Sequence, residues 1–262
     1  MLQRSTNLKA RIRNGQATFG AWLTIPSLDV AEIMAGLGYD WVMIDTEHAP
    51  FDLGILQTAL AAFNGSQTVP LVRVASQDPM LIKQALDLGA EGVVVPQIEN
   101  ADEAKRAVAA TKYPPEGTRG FGPRRASRYL AEVERYFEAA NAAILVVLQI
   151  ESVNAVAAIA EIVAVPGIDV VFVGPMDLSI SAGIPRQTAH PLVIAAIDTV
   201  LSCCRPQGIP VCAGLSPAAV AAERSSRGAT FILTGTDHRL LQDAGVAKLD
   251  ELRSTIGAAV RR

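Results

Sequence analysis

Cysteine is scarce in this chain: Cys203, Cys204 and Cys212 are the only three among 262 residues. An odd number without ligand-like spacing excludes a disulfide framework and reads as buried, reduced thiols. Lysine occurs five times (Lys9, Lys83, Lys105, Lys112 and Lys248), always in helical patterns or in the N-terminal tail. None ends a strand, which argues against Schiff-base catalysis. Charge of one sign is also lacking. A net charge of −3 supplies no field for nucleic acid or an anionic membrane. No apolar run approaches transmembrane length, and the start, Met1–Gly15, is polar and basic without a signal-like apolar stretch. The expectation is a soluble, cytoplasmic protein with neither nucleic acid nor membrane as partner.

What is abundant is apolar residues, half of the total, and they alternate in a regular way. Strand-like runs at about 18–23, 41–45, 70–73, 92–96, 144–149, 170–173, 210–213 and 231–234 are separated by helical patterns. Those patterns fall near 28–37, 53–63, 79–88, 101–111, 153–162, 191–205, 217–226 and 239–260. Eight strand–helix units in this length, without a linker, predict one α/β domain over residues 1–262, a closed (β/α)8 TIM barrel. One segment interrupts the rhythm between Tyr113 and Tyr129, where Arg119, Arg124, Arg125 and Arg128 cluster. It reads as a solvated or subunit-contact loop, with anion binding as the alternative.

The fifth strand pattern, Ile144–Gln149, opens with five aliphatic residues, Ile144-Leu-Val-Val-Leu148, and then runs into Gln149-Ile150-Glu151-Ser152. A carboxylate at the exit of a fully buried strand has no packing role, and one unit later Asp177 repeats the arrangement. Other polar residues fall at strand exits too: Trp22, Asp45 with Glu47 and His48, Arg73, Gln97 and Gln149. Barrel enzymes place their chemistry at that end. Two carboxylates on successive strands make a sparse, hard oxygen site suited to Mg²⁺ or Mn²⁺; the bland alternative is that each caps a helix. His48 follows a buried strand on the same face and reads as a general base. Arg73 needs an anion, either Asp45 or Glu47 or a substrate carboxylate or enolate. His190, before Pro191, reads as structural, and His238, after the eighth strand, sits at the rim.

Taken together, Trp22, Ile-Asp45-Thr-Glu-His48-Ala-Pro, Leu-Val-Arg73, Ile-Lys-Gln-Ala-Leu-Asp87-Leu-Gly-Ala, Tyr-Pro-Pro-Glu-Gly-Thr-Arg119-Gly-Phe-Gly, Gln149-Ile-Glu151 and Gly-Pro-Met-Asp177-Leu-Ser resemble the class II pyruvate aldolases. That group comprises the hydroxy-oxo-heptanedioate and dehydro-deoxy sugar-acid aldolases. The resemblance runs from about Phe19 to Leu241. It implies a barrel of the phosphoenolpyruvate/pyruvate-utilising type, usually a hexamer, that depends on a divalent metal (Mg²⁺, Mn²⁺ or Co²⁺). By the same resemblance Glu151 and Asp177 bind the metal and Gln149 contacts the 2-oxo acid. His48 is the base, oriented by Asp87; Arg73 stabilises the enolate, and Phe121 reaches a neighbouring subunit. Trp22, Asp45, Met176, Gly214 and Leu215 complete the expected substrate pocket. Met176 and Gly214 depart from the pattern, and Gly214 is expected to leave room on the aldehyde side. A related barrel lyase acting on a CoA thioester or phosphonate, or a non-catalytic small-acid binding protein, are the alternatives.

Overall fold

The computed structural model describes residues 2–260. Its strands are β1 Thr18–Leu23, β2 Trp41–Asp45, β3 Val69–Arg73, β4 Gly92–Val95, β5 Leu145–Ile150, β6 Val170–Val173, β7 Val211–Cys212 and β8 Phe231–Thr236. The helices are α1 Gln3–Arg13, α2 Leu28–Gly36, α3 Leu53–Ala62, α4 Pro79–Asp87, α5 Ala101–Thr111, α6 Val133–Ala143, α7 Val153–Ala157, α8 Ile159–Val163, α9 Pro175–Ser181, α10 Pro191–Cys204, α11 Ala218–Ser225 and α12 Asp237–Val260. Strands β1 to β7 pair in parallel with their sequence neighbours, and β1 also pairs with β8. The eight strands thus form a nearly closed (β/α)8 barrel. β7 is only two residues long and lies beside β8 across the remaining seam without a paired ladder.

Parallel strands are covered on both faces, which is why β2, β3, β4, β5 and β6 are buried at every position. Alternation of side chains then divides the apolar residues into two cores. One lies inside the barrel, around Trp41, Met43, Leu71, Val94, Val147, Phe172 and Leu233. The other fills the layer between sheet and helices. Burial of each such aliphatic or aromatic side chain stabilises by about 1.5–3 kcal/mol.

The N-terminal stretch is not a tail. It forms α1, whose Leu8 and Ile12 join the interior core. Lys9 is buried there, its ammonium 2.9 Å from Asp169 Oδ2 and donating to the Ile144 carbonyl at 2.9 Å. Burial holds its pKa below the ordinary lysine range, and Asp169 opposes that shift. The helix expected at 153–162 is broken at Ala158 into α7 and α8, with Ser152 capping the first: its Oγ accepts from the Ala155 N–H at 3.0 Å. A further helix, α9, starts immediately after β6.

α12 does not cover the barrel as an eighth wall helix. It packs against β8 and β1, yet Leu241, Leu249, Leu252 and Ile256 recur at helical spacing along it and are exposed. Correspondingly Phe19 on β1 and Thr234 on β8 are open to solvent, and α11 buries no residue.

Candidate active site

The exits of β1, β2 and β3 build one half of the site. Register places Asp45 opposite Arg73, and both point into the barrel because they continue the inward series of Met43 and Leu71. Arg73 Nε and Nη2 donate to Asp45 Oδ1 and Oδ2 at 3.0 and 2.7 Å, a two-pronged pair. Its remaining nitrogen, Nη1, stands 3.2 Å from Glu47 Oε2. The guanidinium lies over the Trp22 ring, 4.0 Å from the centroid, and Trp22 is held edge-on against Phe172. Of the anionic partners weighed for Arg73, the protein itself supplies Asp45 and Glu47.

His48 leaves this cluster for solvent. Its backbone N–H and that of Glu47 donate to Asp45 Oδ1, which turns the chain after β2. Its side chain is 63% exposed, with Nε2 3.8 Å from Glu47 Oε2. Trp22, Asp45, His48, Arg73, Thr236 and His238 line a common cavity of about 430 Å³.

The other half comes from β4, β5 and β6. Gln149 and Glu151 are two residues apart and so share a face. Both oxygens of Glu151 are held: Oε2 accepts from Gln149 Nε2 and Oε1 from the Gln97 N–H at 2.8 Å. Gln97 can aim its N–H this way because it adopts φ +57°, a left-handed conformation rare outside glycine. Burial raises the Glu151 pKa, and repulsion from Asp177 adds to the rise, while the two hydrogen bonds and Arg73 oppose it. Glu47 is likewise raised, chiefly by burial, with Arg73 and His48 opposing and Glu151 adding repulsion. Asp45, Glu47, Arg73, Glu151 and Asp177 are therefore linked electrostatically across the two halves. Asp177 sits in the first turn of α9, and Met176 beside it is exposed.

Among the described residues no three His, Cys, Asp or Glu side chains form a complete metal cage. Glu151 with Asp177 is a two-carboxylate site. It suits a hard divalent cation that keeps several waters, and Gln149 Oε1 is buried without a partner, a further oxygen donor.

Several expectations need correction. Asp87 does not orient His48 within the chain. It is the last residue of α4, which runs antiparallel to β3, and nine residues of helix carry it roughly 13 Å toward the opposite end of the barrel. There its Oδ1 accepts from Arg119 Nη2 at 2.7 Å. Arg119 is no solvated loop residue: its side chain is fully buried, 4.6 Å over Tyr113 and hydrogen-bonded to the Tyr136 hydroxyl. Gly214 is not a vacancy in the pocket. It has φ +70°, and a Cβ there would stand 2.7 Å from Pro175 Cδ. Leu215 beside it and Phe121 are exposed. His190 is structural as expected, its Nδ1 accepting from the Leu192 N–H. Sequence reading left Gln97 and Gly174 without roles; the positive φ reveals the first, and the second is revealed by the close approach of Glu151, whose Oε2 would stand 2.9 Å from a Cβ on Gly174. The three thiols are free, and burial pushes Cys204 and Cys212 up to about 12.

Comparison with known proteins gives this arrangement a context. The chain is 40% identical over 235 residues to a 4-hydroxy-2-oxo-heptane-1,7-dioate aldolase of Salmonella heidelberg, covering 89% of each chain. It is 39% identical over 235 residues to a pyruvate aldolase of Rhizobium etli, covering 90% of this chain and 92% of that one. A crystal structure of an HpcH/HpaI aldolase/citrate lyase family protein from Burkholderia cenocepacia superposes with a TM-score of 0.88 at 36% identity, over 95% of this chain and 99% of the other. The family model for HpcH/HpaI aldolase/citrate lyase matches residues 18–244, from β1 into α12. The chain belongs to the HpcH/HpaI aldolase/citrate lyase family.

Proposed function

We propose that the protein is a class II aldolase, a carbon–carbon lyase that reversibly cleaves 4-hydroxy-2-oxo acids to pyruvate, or hydroxypyruvate, and an aldehyde. The observation that carries this reading is the facing of two groups across one barrel mouth. Glu151, pinned by Gln97 and Gln149, stands with Asp177 on one side, and Arg73, pinned by Asp45 over Trp22, on the other. Glu151 and Asp177 are the residues that would hold a divalent ion (Mg²⁺, Mn²⁺ or Co²⁺). When bound, such an ion supplies Lewis acidity toward the 2-oxo acid.

The chain's own residues do the rest. Gln149 is placed to contact the 2-oxo acid beside Glu151. His48 Nε2 accepts the proton of the C4 hydroxyl. The C3–C4 bond then breaks; its electron pair becomes the enolate of pyruvate, the C4 oxygen becomes the aldehyde carbonyl, and a proton at C3 completes pyruvate. Arg73 lies where negative charge develops on the enolate. Because Asp45 and Trp22 fix it beforehand, no reorganisation accompanies the step, which is the kind of contact that lowers a barrier. Cytoplasmic placement and a homo-oligomer, a hexamer by resemblance, complete the reading. The exposed apolar stripe of α12, the open wall at Phe19 and the exposed Phe121 support an assembly in which neighbouring copies cover one another. Light scattering at micromolar concentration tests the assembly, and a monomer refutes it.

The decisive assay is pyruvate release from a panel of 4-hydroxy-2-oxo acids, with and without Mg²⁺, Mn²⁺ and Co²⁺. Metal-dependent release is expected. Release that survives exhaustive chelation, with ion content checked by elemental analysis, overturns the metal assignment, and no release from any member overturns the aldolase reading.

A further inference from the structure

His48 is not the only histidine in the reaction cavity. His238, the second residue of α12, lines it as well, with Thr24 and Thr236. Its surroundings are built rather than incidental. Asp237 is 5% exposed. Its Oδ2 accepts the Thr24 and Ile25 N–H groups at 2.8 and 2.7 Å, tying the β1 exit to the β8 exit. Its Oδ1 accepts the Thr24 hydroxyl at 2.5 Å and the His238 N–H at 2.8 Å. Thr24 Oγ1 in turn lies 2.9 Å from His238 Nδ1.

That chain of contacts settles which ring nitrogen carries hydrogen. The Thr24 hydroxyl has one hydrogen, and the Asp237 carboxylate can only accept it. Thr24 Oγ1 is left as an acceptor, so Nδ1 must donate to it. Asp237 Oδ1, 3.6 Å from Nδ1, favours the same tautomer. In the neutral ring Nε2 is then a lone-pair acceptor. Among the described residues its one hydrogen-bonding neighbour, Thr236 Oγ1, is 3.5 Å away, a long contact, and half of the side chain is open. An oriented acceptor therefore lines the same cavity as the base that releases the aldehyde.

Among the described residues Arg73 is the only Lys or Arg lining the cavity, and Asp45 and Glu47 already engage it. A distal carboxylate on the aldehyde would meet no free positive charge within the protomer, and it would approach Asp45. A hydroxyl group has a ready partner. We propose that His238, held by Thr24 and Asp237, is a specificity residue whose Nε2 accepts the hydroxyl of a short hydroxyaldehyde, so that hydroxylated aldehydes are preferred over unsubstituted and carboxylated ones. This rests on the aldolase reading above.

The test is the aldol addition of pyruvate to glycolaldehyde and glyceraldehyde, compared with acetaldehyde and propanal. It is run for the wild type, His238→Leu and His238→Gln, with solvent deuterium exchange at C3 of pyruvate followed in the same preparations. Exchange needs no aldehyde and reports the ketoacid half alone. His238→Leu should lower kcat/KM for the two hydroxyaldehydes about three- to tenfold, the range of one neutral hydrogen bond, mainly through the aldehyde KM. It should leave acetaldehyde, propanal and the exchange rate unchanged. His238→Gln, which keeps an acceptor oxygen, should recover most of the loss. An equal loss for all four aldehydes, no loss for any, or a parallel loss of exchange overturns the assignment. A wild type that exchanges no deuterium overturns the aldolase reading and this one with it.

Discussion

Gly174 and Glu151 occupy one another's space: a Cβ on Gly174 would stand 2.9 Å from Glu151 Oε2 and 3.0 Å from Glu151 Cβ. It would also approach Gln149 Nε2 at 3.3 Å. The absent side chain is what lets β6 end beside the carboxylate that β5 presents. Gly174→Ala should push Glu151 off Gln149 or Gln97. Displacing a group that orients a metal ligand costs roughly 10–100-fold in affinity or activity. Titrating activity against Mn²⁺ measures it; an unchanged half-saturating concentration would show that the carboxylate has slack.

Base catalysis separates from ion binding. His48→Ala should reduce turnover by about 10²–10⁴-fold, the contribution of a positioned base. The apparent Mn²⁺ affinity should stay as in the wild type, because Glu151 directly follows β5 and Asp177 lies in α9, both away from the loop that carries His48. If the variant lost its ion, His48 would be a ligand instead.

Arg73→Lys keeps the charge and discards the geometry. A lysine cannot donate along both Nε and Nη2 to Asp45, nor lie flat over Trp22 as the guanidinium does. We expect kcat/KM to fall by at least about tenfold, the equivalent of one well-placed hydrogen bond to a charged group. Steady-state kinetics with the best panel substrate decides it, and full activity would remove Arg73 from the mechanism.

The raised carboxyls couple stability to pH. Glu47 and Glu151 both hold their protons more tightly folded than unfolded. The stability this adds to the ion-free protein is therefore fully present at acid pH, below the ordinary glutamate range. It is lost as pH rises through the folded values. An ion on Glu151 replaces the proton, so its binding strengthens over the same interval. The difference in Tm between Mn²⁺-loaded and chelated protein should widen as pH rises above that range toward neutrality. A difference independent of pH would place the ion elsewhere.

Much of this was legible in the residues alone, for a physical reason. Strands covered on both faces must be apolar throughout, so the eight runs announce themselves, and a carboxylate or guanidinium at their exits has no packing explanation. Fold class and the position of Glu151, Asp177, Arg73, Asp45 and His48 at or just beyond strand ends therefore follow from local pattern. Which end of the barrel a helical residue occupies does not. Within the chain Asp87 stands at the end of α4 and so pairs with Arg119 rather than His48, and a motif read along the sequence carries no such direction. Nor can spacing tell a polar N-terminal stretch from a helix whose Leu8 and Ile12 plug the barrel, or a small pocket residue from a glycine held at φ +70° against Pro175. The left-handed turn at Gln97, the gap at Gly174 and the tautomer of His238 depend on atoms contributed by strands far apart in sequence. Only the closed tertiary structure brings those atoms within hydrogen-bond distance.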